Sequence, residues 1–287
     1  MARILRGAPV AASIAEALRP RVDALAESGR PPVLALLRVG ERPDDLSYER
    51  GLAKRAAALG IGLRRVPLPE GCDQGELEAA VRATNEDVSV AGCLMFRPLP
   101  EGLDEGVACD LLSPEKDVDG VTPLSLAGVF AGGGRGFSPC TAEAVLRLLD
   151  FHGVELAGRR VVVVGRSLVV GRPVALLLQA RDATVTLCHS RTADLAARCR
   201  EAEVLVVATG RPRMVGADFA SSGQAVVDVG ISWDAEAGRL VGDVDFERVE
   251  PLVSAITPVP GGIGSVTTAV LMEHVVEAAE RQLEGGA

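Results

Sequence analysis

Segments with helical spacing alternate with short strand-like segments along the first half of the chain. The helical segments are residues 9–28, 45–59 and 74–84, and the strand-like runs are 33–39, 62–66 and 91–96. Gly60 follows the second helical segment, at a position where glycine commonly ends a helix. This order of elements predicts a parallel sheet whose strands are joined by right-handed helical crossovers.

The second half repeats the alternation with shorter elements. It predicts helices at 141–151, 172–180 and 193–201, and strands at 160–164, 183–187, 203–207, 225–229 and about 252–255. Strands that alternate with helices in this way are typical of a doubly wound, nucleotide-binding sheet. The final helical segment, 266–284, is long enough to cross back and pack on the first half of the chain.

Loops rich in proline, glycine and aspartate separate the two halves, at 97–100 and 113–120. The glycine-rich run 131–136 is expected to be the most flexible stretch. We therefore predict an α/β fold of two domains, 1–140 and 141–265, with a cleft between them. The last segment, 266–287, is expected to complete the first domain.

Composition excludes several classes of function. A net charge of −9 disfavours nucleic acid as a partner, because binding it usually needs a basic face. No apolar run reaches the roughly 18 residues of a membrane helix, and the N-terminus does not resemble a secretory signal. The 6 cysteines include no C-x-x-C pair, so we expect reduced thiols, no zinc or other metal site, and a cytoplasmic protein.

A candidate phosphate-binding turn follows the first strand of the second half. Its sequence is Gly165-Arg166-Ser167-Leu168-Val169-Val170-Gly171-Arg172-Pro173. Glycine lets the backbone approach a phosphate closely, and the N-terminus of the next helix offers N–H groups and a positive dipole end. The segment lacks the G-x-G-x-x-G pattern, so taken alone it is also compatible with a purely structural strand–turn–helix.

The end of the second strand distinguishes NAD from NADP, because NAD enzymes place Asp or Glu there for the ribose hydroxyls. Here the strand leads into His189-Ser190-Arg191-Thr192, which contains no acid. Arg166 and Arg191 could pair with a 2′-phosphate, and Ser190 could donate a hydrogen bond to it. The prediction is NADP, and NAD is the alternative if both arginines are solvated surface charges.

Five segments resemble the methylenetetrahydrofolate dehydrogenase/cyclohydrolase family, in the right order along nearly the whole chain. They are 114–120, 139–141, 165–173, 189–192 and 257–264. The resemblance implies an N-terminal catalytic, folate-binding domain, a Rossmann-like NADP-binding domain and usually a homodimer. It implies oxidation of 5,10-methylenetetrahydrofolate to the methenyl form, usually followed by hydrolysis to 10-formyltetrahydrofolate.

The resemblance also implies roles for single residues. Asp119 would hydrogen-bond the pterin ring of a folate-like substrate, and Tyr48 would flank it. The backbone of Pro260, Gly261 and Gly262 would close the site where nicotinamide meets substrate. The implied cofactor-binding residues are Gly165, Arg166, Ser167, Gly171, Pro173, His189, Ser190, Arg191, Thr192, Thr209, Gly210, Ile231 and Thr267.

The chain departs from the family pattern at the central acid/base group. The family carries a lysine four residues after the tyrosine, and Leu52 stands at that spacing from Tyr48. Lys54 is rotated about 240° from Tyr48 on a helix and should point away. Phe96 replaces the family glutamine that partners the lysine, and Arg97 replaces the apolar residue beside it.

The two family reactions make different demands on the site. Hydride transfer needs positioning against nicotinamide, whereas hydrolysis needs proton transfer that is typically worth about 10²–10⁴-fold. We therefore predict a dehydrogenase with weak or absent cyclohydrolase activity. The alternatives are an ordinary bifunctional enzyme with local repacking, a paralogue acting on a different pterin or one-carbon adduct, and a catalytically silent binding protein.

The role of Arg97 has two interpretations. It is either a positive charge near the position of the missing lysine or a solvated loop residue.

Overall fold

The computed structural model describes residues 1–133, 136–235 and 238–285. It divides into a three-stranded unit, Ser13–Cys140 with Thr268–Ala287, and a six-stranded unit, Met1–Ala12 with Thr141–Thr267. The predicted two-domain α/β architecture with parallel sheets is confirmed. Gly134 and Arg135 of the run predicted to be flexible, and the last two residues of the predicted terminal segment, lie outside the described residues.

The three-stranded unit is built around a fully parallel sheet in the order β3-β2-β4. The strands are β2 (Val33–Val39), β3 (Gly62–Leu68) and β4 (Gly92–Met95). The helices are α1 (Gly7–Glu27) from Ser13 onward, α2 (Pro43–Leu59), α3 (Gln74–Glu86), α4 (Glu105–Leu111), α5 (Pro123–Ala131) and α10 (Ile263–Glu284) from Thr268 onward. The apolar run of β2 is almost wholly buried, as expected for the central strand of a parallel sheet.

The six-stranded unit holds a parallel sheet in the order β1-β11-β8-β7-β5-β6. Its strands are β1 (Arg3–Ile4), β5 (Arg160–Val164), β6 (Thr184–Cys188), β7 (Val204–Val207), β8 (Ala225–Asp228) and β11 (Ala255–Ile256). Its helices are α6 (Cys140–Phe151), α7 (Gly171–Gln179), α8 (Leu195–Arg200) and α9 (Phe246–Val249). The chain steps from β5 to β6 on one side and to β7 on the other, which creates the crevice where such sheets bind ligands.

Three features differ from the sequence-based expectation. The first twelve residues belong to the six-stranded unit, because β1 pairs with β11, Arg3 opposite Ala255 and Ile4 opposite Ile256. The strand predicted at 252–255 begins only at Ala255, after a short 3-10 turn at Glu250–Leu252. An antiparallel hairpin of β9 (Ser232–Asp234) and β10 (Arg239–Val241) was not predicted.

Helices α4 and α5 lie outside the predicted loops, in ranges for which the sequence predicted no element. Each begins at a side-chain cap: Asp104 accepts a hydrogen bond from the Val107 N–H, and Thr122 accepts one from the Ser125 N–H. Neither these helices nor any other in the described residues is long and apolar enough to cross a membrane.

Candidate active site

A cavity of about 480 Å³ lies at the carboxyl ends of β5, β6 and β7 in the six-stranded unit. It is lined by Val164, Gly165, Arg166, Ser167, His189, Ser190, Leu195, Ala208, Thr209, Arg211, Met214 and Phe219. Six of the predicted cofactor residues are therefore brought together here. Arg166, Arg211 and His189 give the cavity the cationic and polar lining that suits a phosphorylated ligand.

Two glycines shape the turn between β5 and α7. Gly165 has a φ of +129°, and a Cβ there would overlap the Ala208 carbonyl. A Cβ on Gly171 would overlap the Gly165 carbonyl, so only glycine lets the first turn of α7 pack against the strand end. The Ser167 hydroxyl accepts from the Val170 N–H at 3.1 Å and tightens the same turn. Pro173, two residues after Gly171, is buried in the first turn of α7.

The loop after β6 is held by its own polar groups. The Thr192 hydroxyl accepts from the His189 N–H at 2.9 Å, and His189 Nδ1 accepts from the Arg191 N–H at 3.1 Å. Thr192 and Arg191 thereby shape the loop without lining the cavity, whereas Ser190 lines it. Thr209 and Gly210 donate their N–H groups to Asp243 Oδ2 at 2.5 and 2.9 Å, which fixes the end of β7.

The other residues predicted for the cofactor or the nicotinamide are not among those that line this cavity. Ile231 is 60% exposed just before β9. Thr267 lies in α10 and donates its hydroxyl proton to the Ile263 carbonyl at 3.3 Å. Pro260, Gly261 and Gly262 form the loop before α10, where the Gly261 carbonyl accepts from the Gly7 N–H at 2.8 Å.

A second constellation lies in the three-stranded unit, at Tyr48 of α2. The ring of Tyr48 meets the ring of Phe96 edge-on, with centroids 6.1 Å apart. Phe96, just after β4, is buried at 6% exposure, whereas Tyr48 is 43% exposed. The two rings form an aromatic wall whose outer part is open to solvent.

Leu52 lies on the inward face of α2, one turn after Tyr48. The buried residues of the helix are Asp45, Glu49, Leu52 and Ala56, and Leu52 is only 1% exposed. Neither of the two lysines of the chain takes its place. Lys54 is exposed on the outer face of α2, and the buried Lys116 ammonium donates to the carbonyls of Thr84 and Asp87 at 2.8 and 2.7 Å.

Asp119 faces Arg97, whose guanidinium lies 3.8 Å from its carboxylate and 3.1 Å from Glu105 Oε1. The surrounding protein raises the pKa of Asp119 to about 6, mainly by desolvation, although the Arg97 charge opposes this rise. The pKa of Tyr48 is also raised, first by desolvation and then by the nearby Asp119 charge, so its phenol stays protonated at neutral pH.

A buried Cys140–His274 pair adjoins Asp119 and was not predicted from the sequence. His274 Nδ1 lies 2.9 Å from the Val118 carbonyl and 3.5 Å from Cys140 Sγ. A carbonyl only accepts, so Nδ1 carries the proton in this contact. Cys140 also hydrogen-bonds Asp119. Across the described ranges, no three His, Cys, Asp or Glu side chains are grouped closely enough to hold a metal ion.

Two family models match this chain. The tetrahydrofolate dehydrogenase/cyclohydrolase catalytic domain matches residues 5–119, and the NAD(P)-binding domain of the same family matches residues 139–283. The chain belongs to the tetrahydrofolate dehydrogenase/cyclohydrolase family. The NAD(P)-binding match includes every residue that lines the 480 Å³ cavity, which confirms a nucleotide-binding domain.

Relatives in this family align with the chain from end to end. It is 48% identical over 281 residues to the bifunctional protein FolD of Carboxydothermus hydrogenoformans, covering 98% of each chain. The crystal structure of the bifunctional enzyme FolD from Campylobacter jejuni has a TM-score of 0.95 at 37% identity, covering 98% of this chain and 99% of that one. FolD of Trypanosoma brucei, complexed with NADP cofactor and an inhibitor, has a TM-score of 0.92 at 37% identity and 98% coverage of both chains.

The sequence did not predict all the residues that line the 480 Å³ cavity, which we call the nucleotide cavity below. Arg211 was missed although it directly follows Thr209 and Gly210 at the end of β7, a position that points to the crevice of a doubly wound sheet. Met214 and Phe219 gave no such signal, because they line the cavity from beyond that turn, Met214 from a loop and Phe219 from the three-residue 3-10 helix Ala217–Phe219.

Proposed function

We propose that this protein catalyses NADP-dependent oxidation of 5,10-methylenetetrahydrofolate to 5,10-methenyltetrahydrofolate, with weak or absent cyclohydrolase activity. The observation that carries this proposal is the buried Leu52 one turn after Tyr48, together with the placement of both lysines elsewhere. A homodimeric, cytoplasmic protein stays a prediction from the family resemblance.

The cavity in the six-stranded unit supports the choice of NADP. Gly165 and Gly171 permit the tight turn between β5 and α7, because a Cβ on either would overlap a backbone carbonyl. The N–H groups at the start of α7 can then donate to a phosphate. Arg166, Arg211 and Ser190 offer donors to phosphate groups, including one on the 2′ position of the ribose. NADP, when bound, supplies the hydride acceptor of the reaction.

The constellation around Asp119 supports a folate-like substrate. With a pKa of about 6, Asp119 is mostly a carboxylate at neutral pH and can accept hydrogen bonds from the N–H groups of a pterin ring. Tyr48 and Phe96 offer an aromatic wall for the apolar faces of such a substrate. This arrangement binds and orients the substrate, which is what hydride transfer chiefly requires.

Hydrolysis of the methenyl bridge needs a proton-transfer group in addition to substrate positioning. Water must be deprotonated as it attacks, and a group that titrates near neutral pH must carry the proton. Leu52 and Phe96 are apolar, Arg97 stays charged, and the raised pKa of Tyr48 keeps its phenol neutral. In this proposal Asp119 is occupied by the pterin ring, so the hydrolytic step lacks its proton carrier.

An ordinary bifunctional enzyme is the second candidate. Its support is the similarity to relatives that are named bifunctional protein FolD, which reaches 48% identity over 98% of the chain. That similarity covers both half-reactions and does not discriminate between them. The two candidates differ only in the rate of hydrolysis.

The test is to assay both half-reactions in the wild type and in matched variants. NADPH formation reports the dehydrogenase, and loss of methenyltetrahydrofolate above the spontaneous rate reports the cyclohydrolase. We expect dehydrogenase activity with little hydrolysis in the wild type. The double change Leu52→Lys with Phe96→Gln should raise hydrolysis toward the about 10²–10⁴-fold that acid–base catalysis supplies, whereas Leu52→Met should not.

Comparable dehydrogenase and cyclohydrolase rates in the wild type would establish the ordinary bifunctional enzyme instead. No turnover with NADP or NAD would refute the dehydrogenase. The wild-type assays decide both points even if a lysine at position 52 prevents folding.

A further inference from the structure

Arg97 is held in place by Glu105. Its guanidinium donates to Glu105 Oε1 at 3.1 Å, and Glu105 Oε2 accepts from the Leu99 N–H at 3.3 Å. Glu105 is the first residue of α4, whose N-terminus is capped by Asp104. Because both oxygens of Glu105 are engaged, the carboxylate fixes the direction of the Arg97 side chain.

The other terminal nitrogen of Arg97, Nη2, lies 3.8 Å from the Asp119 carboxylate. This distance is longer than a hydrogen bond, which usually spans about 2.7–3.2 Å, but it is short for two opposite charges. Only 20% of the Arg97 side chain and 27% of the Asp119 side chain are exposed, so solvent screens the pair incompletely. Asp119 thus gains the favourable charge of Arg97 without using an oxygen to accept a hydrogen bond from it.

Other charged and polar groups around Asp119 also affect its pKa, some raising it and others lowering it. Asp117, on its own loop, adds negative charge, as does Glu105 of α4 behind Arg97. Cys140 of α6 and His274 of α10 favour the carboxylate, and Tyr48 of α2 faces it as a neutral phenol. Among these groups Arg97 is the permanent cation, since a guanidinium does not titrate in the physiological range.

We propose that Arg97 is a positioning residue that keeps Asp119 ionised and ready to bind the substrate at neutral pH, acting through its charge and oriented by Glu105. The inference rests on the proposed function, in which Asp119 binds the pterin ring. It gives the unusual arginine after β4 a role in substrate binding that needs no proton transfer.

The test is the pH profile of kcat/KM for 5,10-methylenetetrahydrofolate, measured with NADP for wild type and for Arg97→Leu, Arg97→Gln and Arg97→Lys. Substrate binding needs the carboxylate, so kcat/KM of the wild type should fall as the pH drops through about 6. Loss of an opposite charge at this range typically raises a carboxyl pKa by about 1–3. The two neutral variants should therefore move the acid limb to higher pH, by about 1 or more on the pH scale and mainly through KM.

The lysine variant should keep the limb close to that of the wild type, because it retains the charge. Arg82→Leu is the matched control: Arg82 is an exposed arginine that pairs with Glu78 on α3, and its loss should not move the limb. Active neutral variants with an unmoved limb would overturn the inference alone. A wild type without dehydrogenase activity at any pH would instead overturn the proposed function on which it rests.

Discussion

Arg166 and Arg211 line the nucleotide cavity, and at the scale of single residues their charges bear directly on cofactor preference. Arg191, two residues beyond His189, contributes a backbone N–H to the loop after β6, and its side chain does not line the cavity. A 2′-phosphate that binds here would therefore meet Arg166 and Ser190 rather than Arg191. Of the two arginines that the sequence suggested as partners of the 2′-phosphate, Arg166 is therefore the better candidate.

Changing Arg166 to glutamine should weaken NADP selectively. A charge-assisted hydrogen bond contributes about 1.5–3 kcal/mol, so KM for NADP should rise about 10–100-fold while KM for NAD changes little. Steady-state kinetics with both cofactors measure this. Arg198→Gln is the control, since Arg198 is exposed and pairs with Glu201. An equal loss for NADP and NAD would place Arg166 at the bridging phosphates, and a larger effect of Arg191→Gln would contradict the assignment.

The residues of the site were predictable to different degrees. The position of Leu52 one turn after Tyr48 follows from their i, i+4 spacing, whereas its burial at 1% exposure, beside a Tyr48 that is 43% exposed, is set by packing. The contact of Arg97 with Glu105 and Asp119 could not be foreseen, because it depends on the tertiary placement of α4, which packs against α3. Side-chain pairing across loops is set by tertiary packing, which one sequence does not display.

At the scale of elements, α2 carries both Tyr48 and Leu52, yet its interior contains a glycine. Gly51 is exposed, and a Cβ placed on it would meet nothing within 4 Å. Glycine in the middle of a helix costs roughly 0.5–1 kcal/mol relative to alanine, because glycine loses more backbone freedom when the chain folds. The helix is thus less stable than its geometry allows.

Gly51→Ala should raise the free energy of unfolding by about 0.5–1 kcal/mol, as measured by urea denaturation. Gly153→Ala is a matched control of opposite sign. Position 153 is equally open, but its φ is +64°, so alanine there is strained and should lower stability. A destabilising Gly51→Ala would show that α2 does not have the described helical geometry at this position.

Elements with strong periodicity were the ones that could be predicted. Strands 33–39 and 160–164 have the predicted bounds, because a continuous apolar run marks a strand buried on both faces. Helices α4 and α5 were missed, although Asp104 and the Thr122–Pro123 pair are helix-start signals. Their short length, 7 and 9 residues, gave too few turns for a periodic pattern.

At the scale of the whole molecule, the chain enters and leaves its two units more often than the sequence suggested. The two-residue strand β1 pairs with β11, which lies near the other end of the chain, so the six-stranded sheet includes the N-terminus. Such a short strand carries no pattern of its own, and its partner is set by topology. The long helix α10 also contributes residues to both units, dividing at Thr267 and Thr268.

The stability of the molecule should also depend on pH through a buried carboxyl group, Asp228 at the end of β8. It is 3% exposed, and it accepts from the N–H groups of Gly230, Asp243 and Val244 at 3.0, 3.1 and 2.9 Å. Desolvation is the largest cause that raises its pKa, from 3.8 to about 7, and the Asp243 charge adds to it, while the three backbone hydrogen bonds act against the rise.

Between pH 3.8 and about 7 the folded state therefore binds more protons at Asp228 than the unfolded state does. The contribution of this group to stability is fully present below the lower pKa and is lost as the pH rises through the window. The loss is at most on the order of 1.4 kcal/mol for each step of one in pH.

Asp228→Asn removes the titration, so the melting temperature should depend less steeply on pH across this window, even if the amide lowers stability overall. Glu203→Gln is a control of opposite sign: hydrogen bonds from Arg160 and Arg159 lower the pKa of Glu203, so it stabilises the fold above its unfolded pKa and loses that effect as the pH falls. This effect is confined to pH values below about its ordinary pKa of 4.5, so Glu203→Gln should leave the slope above that pH unchanged and alter it only at lower pH. Parallel plots of melting temperature against pH for wild type and Asp228→Asn would show that Asp228 titrates alike in the folded and unfolded chain.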